Sequence, residues 1–331
     1  MGTEKSYNYC LDFIKGFVCI FVVWAHCEFP GRLGIAIQAV IRFSVPFFFM
    51  VSGYFCYKPL SENVQLSRLK KKICHLLKIT IVASLFYLIF QLIQQCIWHD
   101  IDFSISMSKI INLFVFNCPL IVAGQYWFLL SLIYAYLLYA LFEKLGWRKF
   151  AYIFSAIMFV VYIVLAQGLH LYGVKVPNMY YRNFLVEAFP FFMFGHWINE
   201  HKDRLKISNR TLYLIFGIST LLCFVERYIM GRDFGVNIVT FPQIFALFLY
   251  AINNPNRHKG VMQEIGKRFS LYVYVIHPFV WHIFERVYDG VGISTNILAL
   301  YAMPILVVVA TFIVSYFVEQ INNKWFVPRT V

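Results

Sequence analysis

Residues 11–26 read LDFIKGFVCIFVVWAH, an apolar run that carries Lys15 and His26. Read as a helix, the eleven-position step from one to the other makes about three turns, so the two side chains lie within roughly 20° of each other and about 16 Å apart along the axis. Ionisable groups inside a membrane helix are costly and normally face the bundle interior, which makes the pair a candidate functional site. The competing reading is a lysine snorkelling to the cytoplasmic face and a histidine hydrogen-bonded near the outer face.

The rest of the chain has the same character. With 60% hydrophobic and only 14% charged residues, 331 residues do not make a soluble domain, and the 36 Phe and 22 Tyr suit a lipid-facing surface with aromatic belts. Apolar runs long enough to cross hydrocarbon recur throughout and parse into about ten spans. They are 9–28, 35–56, 73–98, 120–142, 150–168, 183–199, 212–229, 238–252, 269–287 and 297–319. The expected fold is an all-α polytopic transmembrane bundle, filling residues 1–331 as one domain. Continuous apolar runs argue against a barrel, whose strands alternate. The first segment is too long for a cleavable signal and lacks a small-residue exit site. A chain ending at Val331, shortly after the last span, is expected to carry no attached soluble domain.

Charge orients the bundle. Lys70, Lys71 and Lys72, then Arg148 and Lys149, then Lys202, Arg204 and Lys206 fall in turns on one side, whereas the opposite turns hold few cations, namely Arg32, Lys109, Lys175, Arg182 and Arg232. The positive-inside rule therefore places both termini in the cytoplasm. The net charge of +13 follows from this bias and from attraction to anionic lipid, with no nucleic-acid partner implied. The location expected is the inner (plasma) membrane. The 57–72 stretch reads as a basic cytoplasmic loop, and 99–118 as an outer loop with a short interfacial helix. The eight cysteines show no metal-ligand spacing and suit apolar packing, so no metal is expected.

After His26 the chain turns through FPGRLG and returns as IRFSVPFFFMVSGYFCYKP (41–59), with Pro46, Ser52 and Gly53 expected to interrupt the span. Arg42, near the depth of His26, needs an anionic or carbonyl partner. In the ninth span, FSLYVYVIHPFVWHIFERV (269–287), Ser270, Tyr274 and His277 form one stripe. His277 precedes Pro278, so it either lines a site or caps the backbone that the proline frees. In the sixth, YYRNFLVEAFPFFMFGHWI (180–198), Arg182 and Glu187 are badly spaced for a same-face pair, and each should find a partner on another helix. These two, with Asn183 and Glu226, read equally as interhelical ties or as groups lining a substrate cleft.

The basic residue–x10–His pattern, VPFFFMVSGYF, YWFLLSLIYAYLL (126–138) and SLYVYVIHPFV (270–280) occur in an order that resembles the acyltransferase-3 family, polytopic membrane O-acyltransferases of envelope carbohydrates. The resemblance implies transfer of an acyl group from cytoplasmic acyl-CoA, usually acetyl-CoA, to a sugar hydroxyl outside, with no permanently bound cofactor. It implies His26 as the essential histidine and His277 as its catalytic companion. It places Lys15, where an arginine is most common, with Ser52, Gly53 and Trp127 toward the donor. Arg42, Tyr274, Arg182, Asn183, Glu187 and Glu226 fall toward the acceptor. A lysine supplies a point charge without the bidentate fork of arginine. Some membrane domains with this resemblance are attached to serine racemases and supply substrate instead, and the Arg182-Asn183-Phe184 segment is similar to that group. Transport of a small amino acid such as serine is therefore the alternative function.

Overall fold

The computed structural model describes residues 7–57, 62–98, 106–118 and 124–325, and every regular element among them is helical. In chain order these are α1 (Tyr9–Trp24), α2 (Gly31–Ile41), α3 (Ser44–Tyr54), α4 (Glu62–Trp98), α5 (Met107–Phe116), α6 (Trp127–Lys144) and α7 (Arg148–Ile163), then α8 (Leu169–Leu171), α9 (Phe189–His201), α10 (Asn209–Met230), α11 (Thr240–Asn253), α12 (Val261–Glu264), α13 (Ser270–Val291) and α14 (Ile297–Trp325). Wider π turns precede α8, α9 and α13, at Val164–Gly168, Phe184–Ala188 and Ile265–Phe269.

Among the described residues, six helical segments are long and apolar enough to cross a membrane: Gly31–Tyr54, Asn63–Ile97, Trp127–Lys144, Arg148–Leu171, Asn209–Met230 and Ile297–Asn322. The other four spans read from the sequence are also helical, as α1, α9, α11 and α13. Three of these are short, at 16, 13 and 14 residues, and α13 carries His277, His282, Glu285 and Arg286. Six spans are therefore supported by length and hydropathy together.

Two local expectations are corrected. The second span breaks at Arg42–Phe43, between α2 and α3, and runs unbroken through Ser52 and Gly53. Pro46 falls in the first turn of α3, where its missing N–H has no helical partner to lose. Residues 62–72, read as loop, are the first turns of α4, a 37-residue helix about 55 Å long. That exceeds the roughly 30 Å of bilayer hydrocarbon, so the turns bearing Arg68 and Lys70–Lys72 have length to extend beyond it. In the outer stretch, α5 forms with none of its side chains buried, as an interfacial helix would, while 99–105 lies outside the described residues.

The chain divides into two compact units, Met1–Phe47 with Leu205–Val331, and Phe48–Arg204. In the first, α1 is central and packs against α11, α12, α13 and α14. The Asn8 side chain caps α1 by accepting from Leu11 N–H at 2.7 Å and donates to the Ala251 carbonyl at 3.0 Å, which ties the start of α1 to α11. Two glycines allow the close crossing. A Cβ on Gly16 would lie 2.1 Å from the Met262 carbonyl oxygen, and one on Gly266 would lie 1.9 Å from that of Asp12. In the second unit, α4 pairs with α6 and α7 with α9. There Gly53 and Gly195 are reciprocal, since a Cβ on Gly53 would lie 1.8 Å from the Phe192 carbonyl oxygen and one on Gly195 2.0 Å from that of Met50. Small residues at such crossings let backbones approach where no hydrophobic effect drives helices together.

Candidate functional site

Helix α1 ends at Trp24, so His26 occupies the turn that follows it, with its N–H on the Val23 carbonyl at 3.1 Å. Helix α13 brings His277 to it from 251 positions along the chain, and the two imidazole centroids lie 5.3 Å apart with the rings tilted by 31°. His277 is fully buried. Its Nδ1 is 3.0 Å from the Val273 carbonyl oxygen, an acceptor only, so Nδ1 carries the hydrogen and Nε2 the lone pair. One nitrogen of His277 thus serves a backbone carbonyl one turn earlier, and the other, Nε2, is left without a hydrogen-bond partner among the described residues. Buried Tyr274 completes the cluster, its ring 6.1 Å from that of His277. The structure thus brings His277 next to His26 and Tyr274 next to His277. Glu28, two residues on, is exposed.

Lys15 lies on α1 as an ion pair, its Nζ 2.9 Å from Asp12 Oδ1, and Asp12 also accepts from the Tyr7 hydroxyl. The sequence reading passed over Asp12, although an acid three residues before a lysine on a helix marks such a pair.

The anionic partner required by Arg42 is Asp233, which the sequence did not single out. Its Oδ2 lies 3.4 Å from Arg42 Nη2 and 3.3 Å from Arg227 Nε, so one carboxylate joins the end of α2 to the end of α10. Glu226 is buried and accepts from the N–H groups of Ile238 and Val239 at 2.9 and 3.3 Å. It therefore sits at the start of α11, where a carboxylate is favoured by the unpaired N–H groups and the helix dipole.

The second unit gathers Trp127, Arg182, Asn183 and Glu187. The Arg182 guanidinium stands 4.7 Å over the Trp127 ring. Asn183 Oδ1 accepts from Leu185 and Val186 N–H, and its Nδ2 donates to the Met179 and Tyr180 carbonyls, so its side chain is committed to capping the π turn. Glu187 is 1% exposed, with Oε2 unpartnered among the described residues. The π turn at Phe184–Ala188 places Arg182 within Coulomb range of it without a salt bridge. Asn117, a left-handed residue at the end of α5, binds Ser131, the Trp127 carbonyl and Phe184 N–H, fixing this corner. Ser52 offers its carbonyl to Tyr136, 3.5 Å away, and Gly53 lies in the α3–α9 crossing.

A further cluster in this unit was missed altogether. His196 on α9 is fully buried, with Nε2 2.8 Å from the Tyr139 hydroxyl and Nδ1 2.7 Å from that of Tyr152, which donates in turn to Glu200. The only signal was a histidine inside the apolar run FFMFGHWI. No group of three or more His, Cys, Asp or Glu side chains is placed to hold a metal among the described residues.

One family model matches this chain of apolar helices. The chain belongs to the acyltransferase domain family. The match covers residues 8–319, taking in both compact units of this acyltransferase domain. An amino-acid racemase of Enterococcus faecalis is 26% identical over 341 residues, covering 95% of this chain and 46% of that protein. The acyltransferase domain thus spans about half the length of that curated relative. No solved structure matches it.

Proposed function

We propose that His26 and His277 form the acyl-transfer centre of a membrane O-acyltransferase that moves an acyl group, acetyl in the simplest case, from acyl-CoA to a hydroxyl of an envelope glycan. The observation that carries this reading is the 5.3 Å approach of the two rings, with His277 held in one tautomer. His26, the more exposed of the two, takes the proton of the acceptor hydroxyl as its oxygen attacks the thioester carbonyl. The C–O bond forms, the C–S bond breaks, and the proton passes on to the leaving thiolate of CoA. His277 is a positioning residue whose ring packs 5.3 Å from that of His26, with an Nε2 lone pair left to accept an N–H from that ring or from substrate once the reactants are bound. Lys15, held by Asp12, sets a fixed positive charge on α1 about 13 Å before the helix end that precedes His26, toward the side where a cytoplasmic donor would arrive. Tyr274 stands at the acceptor side of the centre, while Glu226 and Asn183 act as supports because their polar atoms serve backbone.

The test is mass spectrometry of envelope glycans from deletion and complemented strains. Acyl groups should vanish on deletion, return with the wild-type chain and stay absent with His26→Ala. Full restoration by His26→Ala would sink the mechanism.

A second reading, transport of a small amino acid such as serine, is favoured by the likeness to a protein named amino-acid racemase along 95% of this chain. In that reading Arg182 and Glu187 offer opposite charges to a carboxylate and an ammonium. Uptake of labelled serine into proteoliposomes without acyl-CoA decides in its favour.

A further inference from the structure

At the turn from α6 to α7, a cleft of about 970 Å³ opens within the second unit. Its polar wall carries Glu143, Arg148, Lys149 and Glu200, and its apolar wall carries Phe150 and Ile153. The two walls are built differently. Arg148 binds both oxygens of Glu143, Nε to Oε1 at 2.8 Å and Nη2 to Oε2 at 3.0 Å, which leaves Glu143 neutralised. Glu200 is only loosely matched, with Arg148 Nη1 3.9 Å from its Oε1 and its Oε2 taken by Tyr152. Tyr152 is itself anchored by buried His196, so the carboxylate of Glu200 is held at the cleft from behind. On the apolar side, Phe150, Ile153, Ile157 and Val160 are each at least half exposed and recur at i, i+3, i+7 and i+10 of α7. They form one stripe leading out of the cleft along a membrane-length segment.

The geometry points to a phospholipid with a primary-ammonium headgroup, of the phosphatidylethanolamine class, as the occupant of this cleft. Charge complementarity and continuity with the lipid-facing stripe argue for it. Lys149 and the outer edge of Arg148 meet the phosphate, the ammonium donates to Glu200, and an acyl chain follows the α7 stripe. A choline head cannot make the hydrogen bond to Glu200, and an anionic head places negative charge beside that carboxylate. The site is independent of the acyl-transfer reading.

Native mass spectrometry of the purified full chain, titrated with phosphatidylethanolamine, phosphatidylcholine and phosphatidylglycerol of identical acyl chains, tests the assignment. One ethanolamine lipid should be retained with an affinity about tenfold above either competitor, the worth of one charge-assisted hydrogen bond. Glu200→Gln keeps the acceptor for Tyr152 and should erase the preference, while Lys149→Gln should weaken all three lipids alike. Equal retention of the three, tighter binding of phosphatidylglycerol, or a preference that survives Glu200→Gln would overturn it. Should Glu200→Gln fail to fold, the three-lipid comparison on the wild-type chain decides alone.

Discussion

His26 and His277, 251 positions apart, meet with their ring centroids 5.3 Å from each other, one in the turn after α1 and the other beside the proline of α13. His277 is tied to backbone through Nδ1, on the Val273 carbonyl. Replacing His26 by alanine should lower acyl transfer by about 10²–10⁴-fold, the usual worth of a positioned base. His277→Asn retains a donor for the Val273 carbonyl while removing Nε2, so it should reduce turnover with little change in melting temperature. A radiolabelled-acyl assay on purified protein, beside a thermal melt in detergent, separates the two effects.

The crossing of α3 and α9 leaves no room for a methyl group at Gly53 or Gly195. Gly53→Ala and Gly195→Ala should each destabilise by about 1–3 kcal/mol through overpacking. Because both act on one interface, the double variant should fall short of the sum of the single losses. Denaturant titration in mixed micelles measures the difference.

Asp233 serves two arginines that stand 3.3 and 3.4 Å away on different helices. Asp233→Asn should destabilise by about 1–2 kcal/mol, between the worth of an exposed pair and that of a fully buried one. Arg227→Gln introduced into Asp233→Asn should then lose much less than it does in the wild-type chain. A double-mutant cycle reads that coupling directly.

Glu226 accepts from two N–H groups just before α11. Glu226→Ala should destabilise by about 0.5–2 kcal/mol, as loss of a helix cap does, and Glu226→Gln by less, since one acceptor remains. Hydrogen exchange at Ile238 and Val239 should speed up in the alanine variant while the amides of α13 keep their protection.

Hydropathy made the helical class legible because a run such as 297–319 has no other way to bury its apolar surface in lipid. The approach of His277 to His26 was foreseeable from an ordered set of motifs, and that of Tyr274 to His277 from the stripe on α13. The partners were harder to see. Asp233 lies in a turn far from Arg42, and pattern within one helix carries nothing about which loop folds back on it. The α2–α3 break falls at Arg42–Phe43, not at Pro46, because a proline in a first turn has no helical bond to remove. His196 went unnoticed for a related reason: the tyrosines that satisfy it come from α6 and α7, and sequence spacing within α9 does not show them.

The paired close approaches of Gly16 to Met262 and of Gly266 to Asp12 have a mechanical consequence. Sliding α1 past the 261–266 segment by even part of a turn would drive carbonyl oxygens into neighbouring backbone, so the two move as one strut. Lys15, between these contacts, is anchored to that strut, while His26 lies beyond the end of α1. A displacement of His26 relative to Lys15 would therefore be taken up in the turn after Trp24, at Ala25 and beyond, and not by a slide of α1.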